Sequence, residues 1–137
     1  MSKEIVIDAK GSVLGRLASF IAKKALQGNS VIVVNSEKVI IIGKPQDILN
    51  DHLKKFSLGK GAQKGPLLSR KPEAILRRAI RGMLGRKKTK GREAFKRVKC
   101  YKGMPEKYAN VEKIDVFKKE ALNFITLEKL SKLIRQK

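Results

Sequence analysis

Arg77, Arg78 and Arg81 fall on one face of a helical stretch, and Lys87, Lys88, Lys90 and Arg92 carry the row on through a turn. Residues of this type at this spacing suit one kind of chemistry. A guanidinium is a planar, permanently charged fork that matches two phosphate oxygens at once. One helical turn sets successive forks about 5 Å apart. Arg86, Lys96 and Arg97 complete the run: RGMLGRKKTKGREAFKR (81–97) holds eight bases in seventeen residues, against one acid, Glu93. Upstream, GKGAQKG adds Lys60 and Lys64, where glycines let backbone N–H groups approach an anion closely. Arg70 and Lys71 stand beside that loop. A merely solvated face would interleave acids with its bases, but residues 54–102 hold eighteen bases and two acids. A polyanion is the partner such a block implies, and nucleic acid is the first of that class.

Other chemistries find little support. IDAKGSVLGR sets glycines between a strand and a helix, where phosphate-binding loops sit. Gly11 and Gly15 do not make G-x-G-x-x-G, however, and GKP at 43–45 lacks the upstream glycine and the hydroxyl of a P-loop. His52 is the single histidine and reads as a partly exposed helix residue rather than a base. Cys100 reads as a small buried hydrophobe; Lys99 and Lys102 could lower its pKa, but no base partner is in view. One Cys and one His do not make a zinc site. Asp47 and Asp51, one turn apart, are expected to face solvent. No metal, no cofactor and no catalytic residue is therefore expected. With five Phe, two Tyr and no Trp, base stacking is not the main mode, and phosphate-dominated binding to a folded RNA fits better.

These side chains must be held by a scaffold. EIVID (4–8) is a short apolar strand. After Gly11, Ser12 should cap a helix, VLGRLASFIAKKALQ, with Val13, Leu14, Leu17, Ala18, Ile21 and Ala25 on its inner face and Gly28 as a left-handed stop. SVIVVN (30–35) and KVIIIG (38–43) are further strands around a turn at 35–37. Strand–helix–strand is a βαβ unit with parallel strands, and near-continuous apolar strands imply a sheet covered on both faces. Pro45 opens a helix to about 57, with Ile48, Leu49, Leu53 and Phe56 as its stripe. Residues 57–71 form a loop. Pro72 opens a helix to 85 that buries Ile75, Leu76, Ala79, Ile80, Met83 and Leu84 and turns its arginines outward. A second basic helix should cover 90–97, and Val98–Tyr101 an edge strand. Residues 103–123 read as an extended arm, and Thr126 caps a last helix with Leu127, Leu130, Leu133 and Ile134 inward.

The 137 residues carry a net charge of +21, and by the same counting residues 54–102 account for +16 of it. Length predicts a single domain over 1–137, with a βαβ-type start (1–56), a basic middle (57–102) and an arm with a C-terminal helix (103–137). MSKEIVIDAKG lacks the apolar core of a signal peptide, and no apolar run approaches a membrane span. One cysteine excludes a disulfide framework. A cytosolic protein without a membrane partner is expected.

Three stretches, IDAKGSVLGRLAS (7–19), VIVVNSEKVIIIGK (31–44) and GPLLSRKPEAILRRAIRGMLGRKKTKGREAFKRVKCYKGMP (65–105), together resemble the large-subunit ribosomal protein L-thirteen family of archaeal and eukaryotic type. The likeness runs in order over about 5–110. Gly85 stands after GML where the bacterial pattern usually has proline. The resemblance implies an α/β fold of three layers, α/β/α, around a mostly parallel four-stranded sheet. It implies no enzymatic activity. It implies binding to large-subunit ribosomal RNA, early entry into subunit assembly, and a monomer beside neighbouring large-subunit proteins. The family's RNA-facing segment falls on Arg77 to Arg97, and its GRLA motif on Gly15 to Ala18, which adds Gly15 and Arg16 as candidates. The rival readings are an RNA or DNA chaperone outside the ribosome and a nucleotide-dependent enzyme.

Overall fold

The computed structural model describes residues 3–57, 70–85, 87–115 and 122–135. Strand β1 (Glu4–Asp8) leads through helix α1 (Leu14–Leu26) to β2 (Ser30–Val34), and the two strands pair in parallel, Ile5 beside Val31 and Ile7 beside Val33. This is the βαβ unit that the strand–helix–strand pattern predicts. β4 (Val98–Cys100) adds to the far side of β2 as a parallel edge strand. The fourth strand comes from the arm: β5 (Ile114–Asp115) pairs in parallel with β1, so the order is β4-β2-β1-β5. Two residues are too short for a period-2 pattern to show, which is why 103–123 reads only as an arm.

Alternation assigns the two faces of this sheet. Ile5, Ile7, Val31, Val33, Val98 and Cys100 meet the main core, which also holds Leu17, Ile21, Leu76, Ile80, Leu130 and Ile134 from the helices. Val6, Ile32 and Val34 point the other way and pack on Tyr108, carried by a 3-10 turn at Glu106–Tyr108, with Tyr101 beside it. The layers are unequal, but both faces are covered, and that is why β2 needs four consecutive buried residues.

Strand β3 (Ile40–Ile42) leaves this sheet. It pairs antiparallel with β6 (Phe124–Thr126), Ile41 beside Ile125. The diversion starts at Asn35, which adopts the left-handed conformation (φ 57°) and donates from Nδ2 to Asp8 Oδ1 at 3.1 Å. Its backbone N–H reaches the Gly103 carbonyl at 2.8 Å, and the buried Glu37 carboxylate accepts from the Gly103 N–H at 2.8 Å. The stretch 35–37 is thus a knot joining the ends of β1, β2 and β4 rather than a simple turn. Helix α2 (Pro45–Ser57) begins at its proline as expected, and of its apolar stripe the Phe56 side chain lies outside the described residues. Helices α3 (Pro72–Met83) and α4 (Thr89–Lys96) follow, and α5 (Leu127–Arg135) closes the chain, with Thr126 Oγ1 accepting from the Lys129 N–H.

Two details differ from the sequence reading. Ser12 does not cap α1. Val13 is the capping position, and the Ser12 hydroxyl is buried with no hydrogen-bond partner among the described residues, because Ser12 is drawn inward by its backbone bonds to Ala9 and Ile40. Met83 is 46 % exposed rather than buried, since α3 ends there and Leu84 takes the inward position.

Candidate nucleic-acid interface

The basic constellation is built on the pair α3 and α4. Leu76, Ile80 and Leu84 anchor α3 in the core, one turn apart. Burying each such side chain is worth about 1.5–3 kcal/mol. With that stripe fixed, Arg77 and Arg78 are exposed and Arg81 is half-buried at its edge. The helix ends at Met83 with Leu84 as its cap, and Gly85 beyond it, with a φ of +66°, is the left-handed stop that glycine adopts without strain. The chain then reverses: the Lys88 N–H bonds the Gly85 carbonyl at 3.0 Å, and α4 begins.

Gly91 sets how closely α4 returns. A Cβ there would lie 2.3 Å from the Leu84 carbonyl oxygen and 2.4 Å from that of Gly85. Only a residue without a side chain lets the two backbones meet, so Gly91 holds the basic helix against the end of α3. A lone glycine inside a basic helix is the sequence signal for such an approach. Phe95 is the other residue that pattern reading missed. The Arg77 guanidinium lies over its ring, 4.2 Å from the centroid, a stack worth about 0.5–1 kcal/mol where exposed. No local signal reveals it, because the two side chains come from different helices.

The remaining candidates divide. Lys87, Lys88, Lys90, Arg92 and Lys96 are all exposed around α4. Arg92 reaches back to the Lys87 carbonyl at 3.3 Å, which steadies the connecting turn. Arg97 is half-buried, and its Nη1 donates to the Ala25 carbonyl at 2.7 Å, closing the C-terminal end of α1. Arg70 lends its carbonyl to the buried Ser131 hydroxyl of α5, which ties the entry to α3 onto the last helix, and Lys71 is exposed next to it. Lys60, Lys64 and Arg86 lie outside the described residues. Gly15 and Arg16 are exposed on the first turn of α1. That turn is on the helix connecting β1 to β2, which packs against both α3 and α4.

A cleft of about 550 Å³ opens where α3 turns into α4, lined by Arg78, Arg81, Gly82, Gly85, Lys87 and Lys88. Among the described residues no acid lines it and no carboxylate pairs with its four cations.

The groups considered for other chemistry are accounted for. His52 Nδ1 bonds the Ile48 carbonyl one turn back, at 3.0 Å. Burial pushes the Cys100 thiol up to about 12, Arg77 pulls it down and Glu73 pushes it up. Burial therefore outweighs the neighbouring cations, and the thiolate that the flanking lysines suggested is not favoured. In the loop before α1, the Lys10 N–H goes to Asp8 Oδ1, the Gly11 N–H to the Lys38 carbonyl and the Ser12 N–H to the Ala9 carbonyl. Those donors are spent inside the protein rather than offered to a phosphate. No group of metal-ligating side chains is found among the described residues, and no helix there is long and apolar enough to cross a membrane.

Comparison with known proteins gives the family of the chain. The family model described as Ribosomal protein L13 matches residues 2–107, a span that includes the sheet strands β1, β2 and β4 and the whole α3–α4 pair. A large ribosomal subunit protein uL13 from Methanocaldococcus jannaschii is 46% identical over 130 residues, covering 93% of this chain and 94% of its own. Its counterpart from Methanopyrus kandleri is 44% identical over 133 residues, covering 92% and 83%. That from Thermoplasma volcanium is 39% identical over 130 residues, covering 93% and 95%. By its matched core and its full-length archaeal relatives alike, the chain belongs to the ribosomal protein L13 family.

Proposed function

We propose that this protein is a structural constituent of the large ribosomal subunit, not an enzyme, and that it binds ribosomal RNA through phosphate contacts made by α3, α4 and the turn between them. The observation that carries the reading is the cation cluster at that turn: Arg78, Arg81, Lys87 and Lys88 converge with no carboxylate among the described residues to neutralise them. Four like charges held together by a folded scaffold cost stability unless an anion is close by. The names of the relatives point to the particle in which that anion is RNA. In this reading Arg77 on α3 and Lys90, Arg92 and Lys96 on α4 extend the contact, Arg70 and Lys71 border it, and Lys60, Lys64 and Arg86 add phosphate contacts on the strength of the sequence alone. Gly15 and Arg16, on the first turn of α1, add a smaller contact. The protein acts as a monomer inside the cytoplasmic ribosome, beside other large-subunit proteins, and enters the particle early in its assembly.

Sedimentation of cell extract through a sucrose gradient tests this. Most of the protein is expected in the large-subunit and whole-ribosome fractions, at moderate salt as well as low. Recovery mainly at the top of the gradient would overturn it in favour of a nucleic-acid chaperone outside the ribosome.

A further inference from the structure

We infer that the cleft at the α3–α4 junction receives a sharply turned RNA backbone, in which phosphates from separate stretches of chain converge, rather than the side of a regular duplex. The inference rests on the RNA-binding reading above and specifies the shape of the RNA.

Three features of the cleft carry it. The first is concavity. A regular helix presents its phosphates on a convex outer surface, and cations on a flat or ridged face reach them without a cavity. Here Arg78, Arg81, Lys87 and Lys88 line one concavity of about 550 Å³. Gly82 and Gly85 form part of the lining, and a Cβ at either would meet nothing within 4 Å, so the backbone leaves that part of the wall open. The second is charge density. Four cations with no described carboxylate partner face one concavity, and a single phosphate leaves most of that charge unbalanced. Several phosphates gathered in one place would balance it. The third is the start of α4. Lys88 is its capping position, it has no side-chain cap, and its first turn holds no acid. The positive end of the helix thus adds to the side-chain charge at the same place.

The chemistry of the RNA completes the argument. Phosphates brought together at a bend repel one another, and a turn of this kind forms only when cations neutralise it. In free RNA, multivalent metal ions supply that charge. In the complex, the cleft supplies it instead. Bulges and junctions are also the places where structured RNA departs from the uniform helix and where proteins recognise it.

Two RNAs of equal length and phosphate number serve as probes: a duplex interrupted by a short bulge that permits a sharp bend, and an uninterrupted duplex. Affinity of the full chain is measured for each without magnesium, with fluorescent labels on the arms of the bulged RNA reporting the bend. The bulged RNA is expected to bind at least about tenfold tighter, the scale of one additional charge-assisted hydrogen bond, and to bend on binding. Lys88→Gln, an exposed substitution, should remove much of that preference. Arg81→Gln should do the same, with a thermal melt confirming the fold. Lys23→Gln, on α1, should leave the preference unchanged. Equal, salt-sensitive binding of both RNAs, or a preference that survives in both cleft variants, would overturn the inference and leave the RNA-binding reading standing. Absence of salt-sensitive binding to either RNA would overturn both.

Discussion

Arg92 and Arg97 lie five residues apart at the end of one basic run, and the structure gives them different tasks. Arg92 is exposed, and its bond to the Lys87 carbonyl leaves most of its fork facing solvent. Arg97 is half-buried and closes the end of α1 through the Ala25 carbonyl. Arg97→Ala should therefore cost about 1.5–3 kcal/mol of stability, the range for hydrogen bonds to charged groups, which chemical denaturation would measure. A cost near zero would show that the bond to Ala25 contributes nothing to the fold. The thiol of Cys100 makes a second residue-scale prediction. Its folded pKa is raised from 9.0 to about 12, so the native state favours the neutral form. That contribution is complete below about pH 9 and is lost as pH rises from 9 toward 12. The stability difference between the parent protein and Cys100→Ala should accordingly shrink across that window. Thiolate absorbance appearing near pH 9 in the folded protein would contradict it. The buried character of Cys100 was legible in the sequence, whereas the task of Arg97 was not. Residue type set the charge or the thiol, but Ala25 and Arg77 are brought alongside only by folding.

At the scale of elements, the α3–α4 pair depends on Gly91. A methyl group there meets two backbone carbonyls at 2.3 and 2.4 Å, and backbone cannot swing aside as a flexible side chain would. Gly91→Ala should cost about 1–3 kcal/mol, as overpacking does, despite alanine's better helix propensity. It should also weaken RNA binding, because α4 and its lysines must move away from α3. An unchanged melting temperature with unchanged affinity would show that α4 relaxes freely. The sequence revealed both helices to within a few residues, since apolar spacing and Pro72 are local features. It also indicated that the arginines of α3 face outward. The distance between the helices stayed hidden, because it is decided by backbone atoms of one segment meeting those of another.

For the whole molecule, charge is the dominant fact. Residues 54–102 hold a net +16 of the chain's +21, and the described part of that segment places Arg77, Arg78, Arg81, Lys87 and Lys88 around one pair of helices. Salt should then act in two opposite directions. It should raise the melting temperature of the free protein by screening self-repulsion. It should also lower affinity for RNA: if about six to ten bases contact phosphate, by about 10³-fold or more between 50 and 200 mM, by analogy with duplex DNA. Parallel melts and binding titrations over one salt series would measure both. Affinity that hardly changes with salt would contradict a phosphate-dominated interface.

The sequence by itself determined the chemistry of this protein. The excess of bases over acids in the middle third, the single histidine and cysteine, and the absence of nucleotide-loop spacing are properties of composition and order. So are the amphipathic helices and the doubly buried strands, whose patterns arise between near neighbours in the chain. Tertiary structure alone decided that β3 leaves the main sheet to pair with β6, that two residues of the arm complete that sheet as β5, that Phe95 lies beneath Arg77, and that four cations line one open cleft. Each of these joins segments distant in the chain or fixes the spacing between two helices. Such contacts are chosen by the packing of the entire core, and no local window of sequence carries the information that selects them.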